Sequence, residues 1–276
     1  MSDAWFAYAI APDGDTTDGC HPEEANALQS YLQGQMTATQ AAEAITRPVA
    51  ASQDPDGDLD RLCGLLGDAL MELPAVDMAR VLDLIAAIED LPAPDFSAVP
   101  RENLPAESPL WRGLSGFGHL WSDGAGAGVL FHWVEGTGRV RAGKNEDVYV
   151  TQSIRRAQVE AWLVRKGLVG LGIGWGYEIV TDALERSKAA LDTEVPMACE
   201  WLKILGDRFR EGAEEGESSW ALERDGDLWK GKAQDKKTMS KERWDFWMQR
   251  LKEIADNDAV SSRTREAAKQ CLGEVQ

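Results

Sequence analysis

Apolar positions along the chain recur mostly at the three-to-four-residue spacing of helices that bury one face. Ala27, Leu28, Tyr31 and Leu32 follow it through residues 23–33, where Gly34 stops the run, and Thr37 with Gln40 then reads as a capping box opening an alanine-rich helix that ends near Pro48. Leu59, Leu62, Leu65, Leu66, Ala69, Leu70 and Leu73 form a stripe closed by Pro74, and Val76, Ala79, Val81, Leu82, Ile85 and Ile88 form the next. Further helices are predicted over 148–166, 175–188, 196–215, 240–256 and 262–275, with Pro196 in a first helical turn and Ser240 as an N-cap. Only 129–134 reads as a strand. The pattern predicts an all-α fold: an irregular array of about nine helices with long loops, packed as a single globular unit because isolated amphipathic helices need one another's apolar faces.

Prolines 92, 94, 100, 105 and 109 each remove a backbone donor and push the preceding residue out of the helical region, so residues 91–110 are expected to form an extended connector. It separates parts of different character. Residues 1–110 hold 20 acids and 4 bases, a net charge of -16 out of -18, whereas ten of the eleven tryptophans follow position 110. The expected organisation is an acidic part of helical hairpins over 1–90, the connector, and a tryptophan-rich helical part over 111–276, all packed as one domain.

Charge then narrows the functions. A chain with 47 acids against 29 bases repels phosphate backbones and anionic membranes, which disfavours a general nucleic-acid binder. No apolar run approaches the roughly 20 residues that span a bilayer. Cys20, Cys63, Cys199 and Cys271 lack CxxC spacing, and no basic residue precedes an N-terminal apolar stretch as a secretory signal requires, so free thiols and a cytoplasmic location are expected.

Nucleotide and metal motifs fall short. Gly138-Arg139-Val140-Arg141-Ala142-Gly143-Lys144-Asn145 has the glycine and lysine spacing of a phosphate-binding loop, but bulky residues fill its centre and Asn145 replaces the magnesium-holding hydroxyl. It reads as a polar loop. Gly170, Gly172, Gly174 and Gly176 lack dinucleotide-fingerprint spacing and read as a broken helix pressed against a neighbour. The acidic runs 13–24 and 54–65 misplace the glycine of a calcium loop and read as solvated turns. His21, His119 and His132 have no close ligand spacing, so neither a metal nor a cofactor is expected. Lys230, Lys232, Lys236, Lys237, Lys241 and Arg243 read as a solvated basic face, with Trp244, Trp247, Met248, Leu251, Ile254 and Ala255 turned to the core.

The chemistry-bearing neighbourhood is residues 117–133. His119, Asp123 and His132 are the candidate acid–base groups, and Trp121, Phe131 and Trp133 the candidate substrate-binding surfaces, since imidazoles and a carboxylate among indoles supply titratable groups beside apolar area. Asp123 lies four residues from His119, one helical turn away.

The run Arg243-Trp244-Asp245-Phe246-Trp247, continuing through Leu251-Lys252-Glu253-Ile254-Ala255 to Ser262-Arg263-Thr264-Arg265-Glu266-Ala267-Ala268, resembles the C-terminal end of a filamentous-fungal family of helical proteins catalogued as a domain of unknown function. Leu32-Gln33-Gly34-Gln35-Met36-Thr37 with Ala41-Ala42, and Asp182-Ala183-Leu184-Glu185, are similar to the same family. The resemblance implies helices and a fungal source and hands over no catalytic residue. Two functional classes follow. One is a small-molecule-binding protein or cofactor-independent enzyme of fungal secondary metabolism, of cyclase or isomerase type, holding an apolar substrate in a tryptophan-lined cavity. The other is a protein-interaction module whose acidic N-terminal surface engages a basic partner.

Overall fold

The computed structural model describes residues 3–105, 110–126, 130–224, 226–230 and 237–275, with the side chains of 123–126 and 144 outside that description. Among the described residues the fold is all-α, with twelve helices and one two-stranded hairpin. Pro109, Val129, Lys232 and Lys236 lie outside the described residues. The chain divides into two compact units, one of residues 1–152 with 168–170 and one of residues 153–167 with 171–276.

The first unit runs α1 (Asp3–Ile10), α2 (Pro22–Leu32), α3 (Ala38–Ile45), a single turn α4 (Arg47–Ala50), α5 (Pro55–Glu72), α6 (Ala75–Glu89) and α7 (Phe117–Gly126), then strands β1 (Phe131–Val134) and β2 (Gly138–Arg141). Local signals set these ends. Thr37 accepts the Gln40 N–H while the Gln40 side chain accepts the Thr37 N–H, which is the expected capping box. Asp54 caps α5, accepting the Gly57 N–H at 3.4 Å, so an acid from the calcium-like run instead satisfies a helix terminus. Leu59, Leu62, Leu66 and Leu70 on α5 and Val81, Leu82, Ile85 and Ile88 on α6 are buried. The stripe of α6 departs from expectation: Met78 and Leu84 join the buried residues, whereas Val76, 79% exposed, and Ala79 are exposed, because 78, 81, 82, 85 and 88 share one face and 76 and 79 fall off it. The proline-rich stretch belongs to this unit and holds one 3-10 turn at Arg101–Asn103.

Helix α8 (Glu146–Lys166) passes from the first unit into the second, which continues with α9 (Gly174–Glu185), α10 (Leu191–Glu215), α11 (Lys241–Ala255) and α12 (Ser262–Val275). Helix α10 starts before Pro196, at Leu191, because the Glu194 side chain reaches back to accept the Ala190 N–H at 3.1 Å and caps an earlier turn. Ser240 caps α11 as expected, accepting the Arg243 N–H at 3.2 Å. The core gathers Tyr177, Val180, Leu184, Cys199, Trp201, Leu202, Phe209, Trp247, Leu251 and Cys271. All four cysteines are free and buried.

The glycine-rich segment does press against neighbours. A Cβ on Gly176 would lie 2.5 Å from the Trp201 ring and 2.9 Å from Phe209, so only glycine lets these aromatics reach the α9 backbone. Arg243 departs from the expected solvated face: it is fully buried and forms a bidentate pair with Glu185.

Candidate functional site

The hairpin organises the chemistry of the first unit. Its antiparallel register pairs Trp133 with Arg139 and Phe131 with Arg141, while His132 pairs with Val140. Side chains alternate across a strand, so Phe131, Trp133 and Arg139 share one face and His132 takes the other. The sequence neighbours His132 and Trp133 are thereby separated. His132 Nδ1 is buried with no hydrogen-bond partner among the described residues.

On the shared face, Arg139 reaches two carboxylates of α5. Its Nε donates to Glu72 Oε1 at 2.6 Å and a terminal nitrogen donates to Asp68 Oδ1 at 2.5 Å. Asp68 and Glu72 are four residues apart, one turn of α5, so both project to the same side. The guanidinium also lies over the Phe131 ring, 4.6 Å from its centroid. Helix α1 completes the arrangement: Trp5 Nε1 donates to Glu72 Oε2 at 3.1 Å, and the Tyr8 ring meets Trp133 edge-on at 5.2 Å. Gly138 makes that approach possible, since a Cβ there would stand 3.1 Å from the Tyr8 ring, and its φ of 74° suits glycine.

The two carboxylates differ in character. Glu72 has both oxygens engaged and its side chain is 2% exposed, which makes it an anchor. Among the described residues Asp68 bonds Arg139 alone, and it keeps 34% of its side chain exposed. Desolvation raises its carboxyl above the ordinary aspartate range, Arg139 opposes that rise, and the Glu72 charge adds to it. Its water-exposed third restrains the shift. The Tyr8 phenol is also raised, by burial first and then by Asp13. The cluster therefore offers a reachable carboxyl whose titration is displaced towards neutrality, a guanidinium that orients it, and the aromatic faces of Tyr8, Phe131 and Trp133.

The other residues singled out from sequence sit apart from these contacts. His119 is exposed on α7 and makes no hydrogen bond or ion pair among the described residues. Trp121 stacks on Phe117, with ring centroids 5.7 Å apart, and lies against Gly67 of α5. The Asp123 side chain lies outside the described residues. Asp68, Glu72 and Tyr8 carried no motif, and Arg139 stood in a loop read as merely polar. The available signal was the alternation of Phe131, Trp133 and Arg139 within a hairpin, which needed β2 to be recognised. Among the described residues no group of three or more His, Cys, Asp or Glu is placed to hold a metal ion.

The chain is thus a helical protein whose small hairpin is pinned to a carboxylate pair of α5. Residues 65–251, more than half of the chain, match the family model described as a protein of unknown function, DUF3632, and the chain belongs to that family. The matched span contains the C-terminal part of α5 with Asp68 and Glu72, the hairpin and the Glu185–Arg243 pair. No curated protein and no solved structure matches the chain. No helix among the described residues is long and apolar enough to cross a membrane.

Proposed function

We propose that this chain is a helical small-molecule-binding protein that works as a cofactor-independent enzyme of cyclase or isomerase type, acting on an apolar substrate in the secondary metabolism of a fungal cytoplasm. The observation that carries the reading is Asp68, a partly exposed carboxyl held by Arg139 beside the aromatic faces of Tyr8, Phe131 and Trp133. An isomerisation or proton-initiated cyclisation removes a proton at one carbon and delivers one at another, and a carboxyl displaced towards neutrality suits both steps. The aromatic faces suit an apolar substrate and a cationic intermediate. Four buried free thiols agree with a reducing compartment.

The test compares metabolite profiles of the native host carrying wild-type protein, a deletion and Asp68→Asn. Asparagine keeps the shape and loses the titration. The expected result is that the Asn variant, folded and present at normal level, reproduces the profile of the deletion; a deletion with an unchanged profile overturns the reading. The second reading, a module engaging a basic partner, is supported by the net charge of -16 over residues 1–110, with Asp13, Asp15, Asp54, Asp56 and Asp83 exposed. Loss of a salt-sensitive complex alongside an unchanged profile would favour it.

A further inference from the structure

A separate cleft of the first unit, about 240 Å³, is lined by Glu89, Asp90, Leu91, Ala93, Trp111 and Arg112. None of these residues belongs to the Asp68 cluster. Its volume lies below the roughly 300–1,000 Å³ of pockets for drug-sized ligands, so it suits a small metabolite.

The chemistry of its walls is two-sided. Trp111 is 3% exposed as a residue, and its indole N–H donates to no described group. Arg112, the next residue, is exposed and pairs with no described acid. These two donors lie next to each other in the chain, and a guanidinium recognises a carboxylate with two parallel N–H bonds. The lining also includes the C-terminal end of α6, where Asp90 is the C-cap and the helix dipole adds negative potential. Glu89 is already committed, since its Oε1 accepts the Val169 N–H at 2.7 Å. Asp90 has no ion-pair partner among the described residues. A cation and an anion thus line one cleft without pairing with each other among the described residues, and Leu91 and Ala93 add apolar lining.

We infer that this cleft binds a small zwitterion, a free α-amino acid with an apolar side chain. Its carboxylate takes the Arg112 guanidinium and the Trp111 N–H, its ammonium faces Asp90 and the end of α6, and its side chain lies against Leu91 and Ala93. A simple carboxylate would satisfy Arg112 but face Asp90 with like charge, and a simple amine would leave Arg112 and the Trp111 donor unmet.

The full chain is titrated with glycine, L-alanine, L-valine and L-leucine at millimolar concentrations, following the Trp111 indole N–H resonance, assigned with Trp111→Phe, together with calorimetry. The expected result is saturable binding of at least one of the apolar amino acids with a shift of that resonance. Binding falls at least tenfold for the matching amino-acid amide, which lacks the carboxylate, and for the N-acetyl derivative, which lacks the ammonium. Arg112→Met and Asp90→Asn each weaken it at least tenfold with unchanged thermal unfolding, whereas Asp68→Asn leaves it intact, so this inference and the proposed function fail separately. No saturable binding by any of the four, or binding that survives amidation or Arg112→Met, overturns the proposal.

Discussion

Arg243 of α11 and Glu185 at the end of α9 form an ion pair with no solvent exposure on either side chain. The guanidinium donates to both carboxylate oxygens at 2.7 and 2.8 Å, and Trp247 Nε1 donates to Glu185 Oε1 at 2.7 Å. Arg243 also donates to the Leu222 carbonyl at 3.2 Å, and the Glu185 carbonyl accepts the Leu228 N–H at 2.9 Å, so the two residues tie Leu222 and Leu228 to α9 and α11. Every charge is answered, as a structural network requires. Breaking one partner leaves the other buried and uncompensated, so Arg243→Met is expected to cost about 3–5 kcal/mol. The double variant Glu185→Leu/Arg243→Met should lose less than the sum of its single changes. Chemical denaturation of the three variants measures the coupling, and additive losses would show that the pair does not act as a unit.

Glycines divide by what surrounds them. At Gly176 an added methyl meets two ring systems closer than 3.0 Å, and the resulting overpacking is expected to cost about 1–3 kcal/mol in Gly176→Ala. Gly64 lies in α5, exposed, with open space around its would-be Cβ. There Gly64→Ala is expected to stabilise by roughly 0.5–1 kcal/mol through helix propensity. Opposite shifts in thermal midpoint, measured side by side, check the pair of predictions.

The helical fold was largely legible because caps and stripes are local: Thr37 with Gln40, Ser240, and the Leu59-to-Leu70 face all behave as their spacing implies. Helix α1 escaped because seven of its eight residues are apolar without a period, though Trp5 and Phe6 are its buried members. Strand β2 escaped because Gly138-Arg139-Val140-Arg141 gains its meaning only from pairing with β1. The site was less legible for the same reason. Arg139 meets Glu72 and Asp68 across 67 and 71 residues, and nothing in a local window distinguishes it from a solvated arginine. Arg243 shows the converse, a charge in a basic run that folding places against a carboxylate 58 residues away.

Arg139 anchors the hairpin to α5, and its removal should be felt more than that of a surface pair. Among the described residues Arg139→Met leaves the nearly sealed Glu72 with its Trp5 bond alone, an imbalance expected to cost about 1–3 kcal/mol. Asp258 is the contrast: 96% exposed and paired with Arg265, its change to Asn should shift stability by less than about 1 kcal/mol. Denaturant midpoints of the two variants test the ordering, and equal losses would show that the hairpin contact is energetically a surface contact.

Glu24 gives the fold a pH dependence with a definite sign. It is fully buried at the start of α2; Oε2 accepts the His21 N–H at 2.9 Å, and Oε1 has no partner among the described residues. Burial pushes its carboxyl up to about 7, opposed by the His21 hydrogen bond and charge and by Arg61, and reinforced by Asp58; the thiols of Cys20 and Cys63 complete its titratable surroundings. A carboxyl raised in the folded state binds its proton more tightly there than in the unfolded chain. Its contribution is therefore fully present below the unfolded glutamate range of roughly 4.3 and is lost as pH rises through about 7. Glu24→Gln keeps an oxygen for the His21 N–H and removes the titration. The difference in unfolding free energy between wild type and Glu24→Gln should thus shift against the wild type as pH rises from 4 to 8, even though Asp68 titrates in both proteins and cancels. A difference that stays flat across that range would show that Glu24 is charged in the fold, with its unpaired oxygen answered by a bound water.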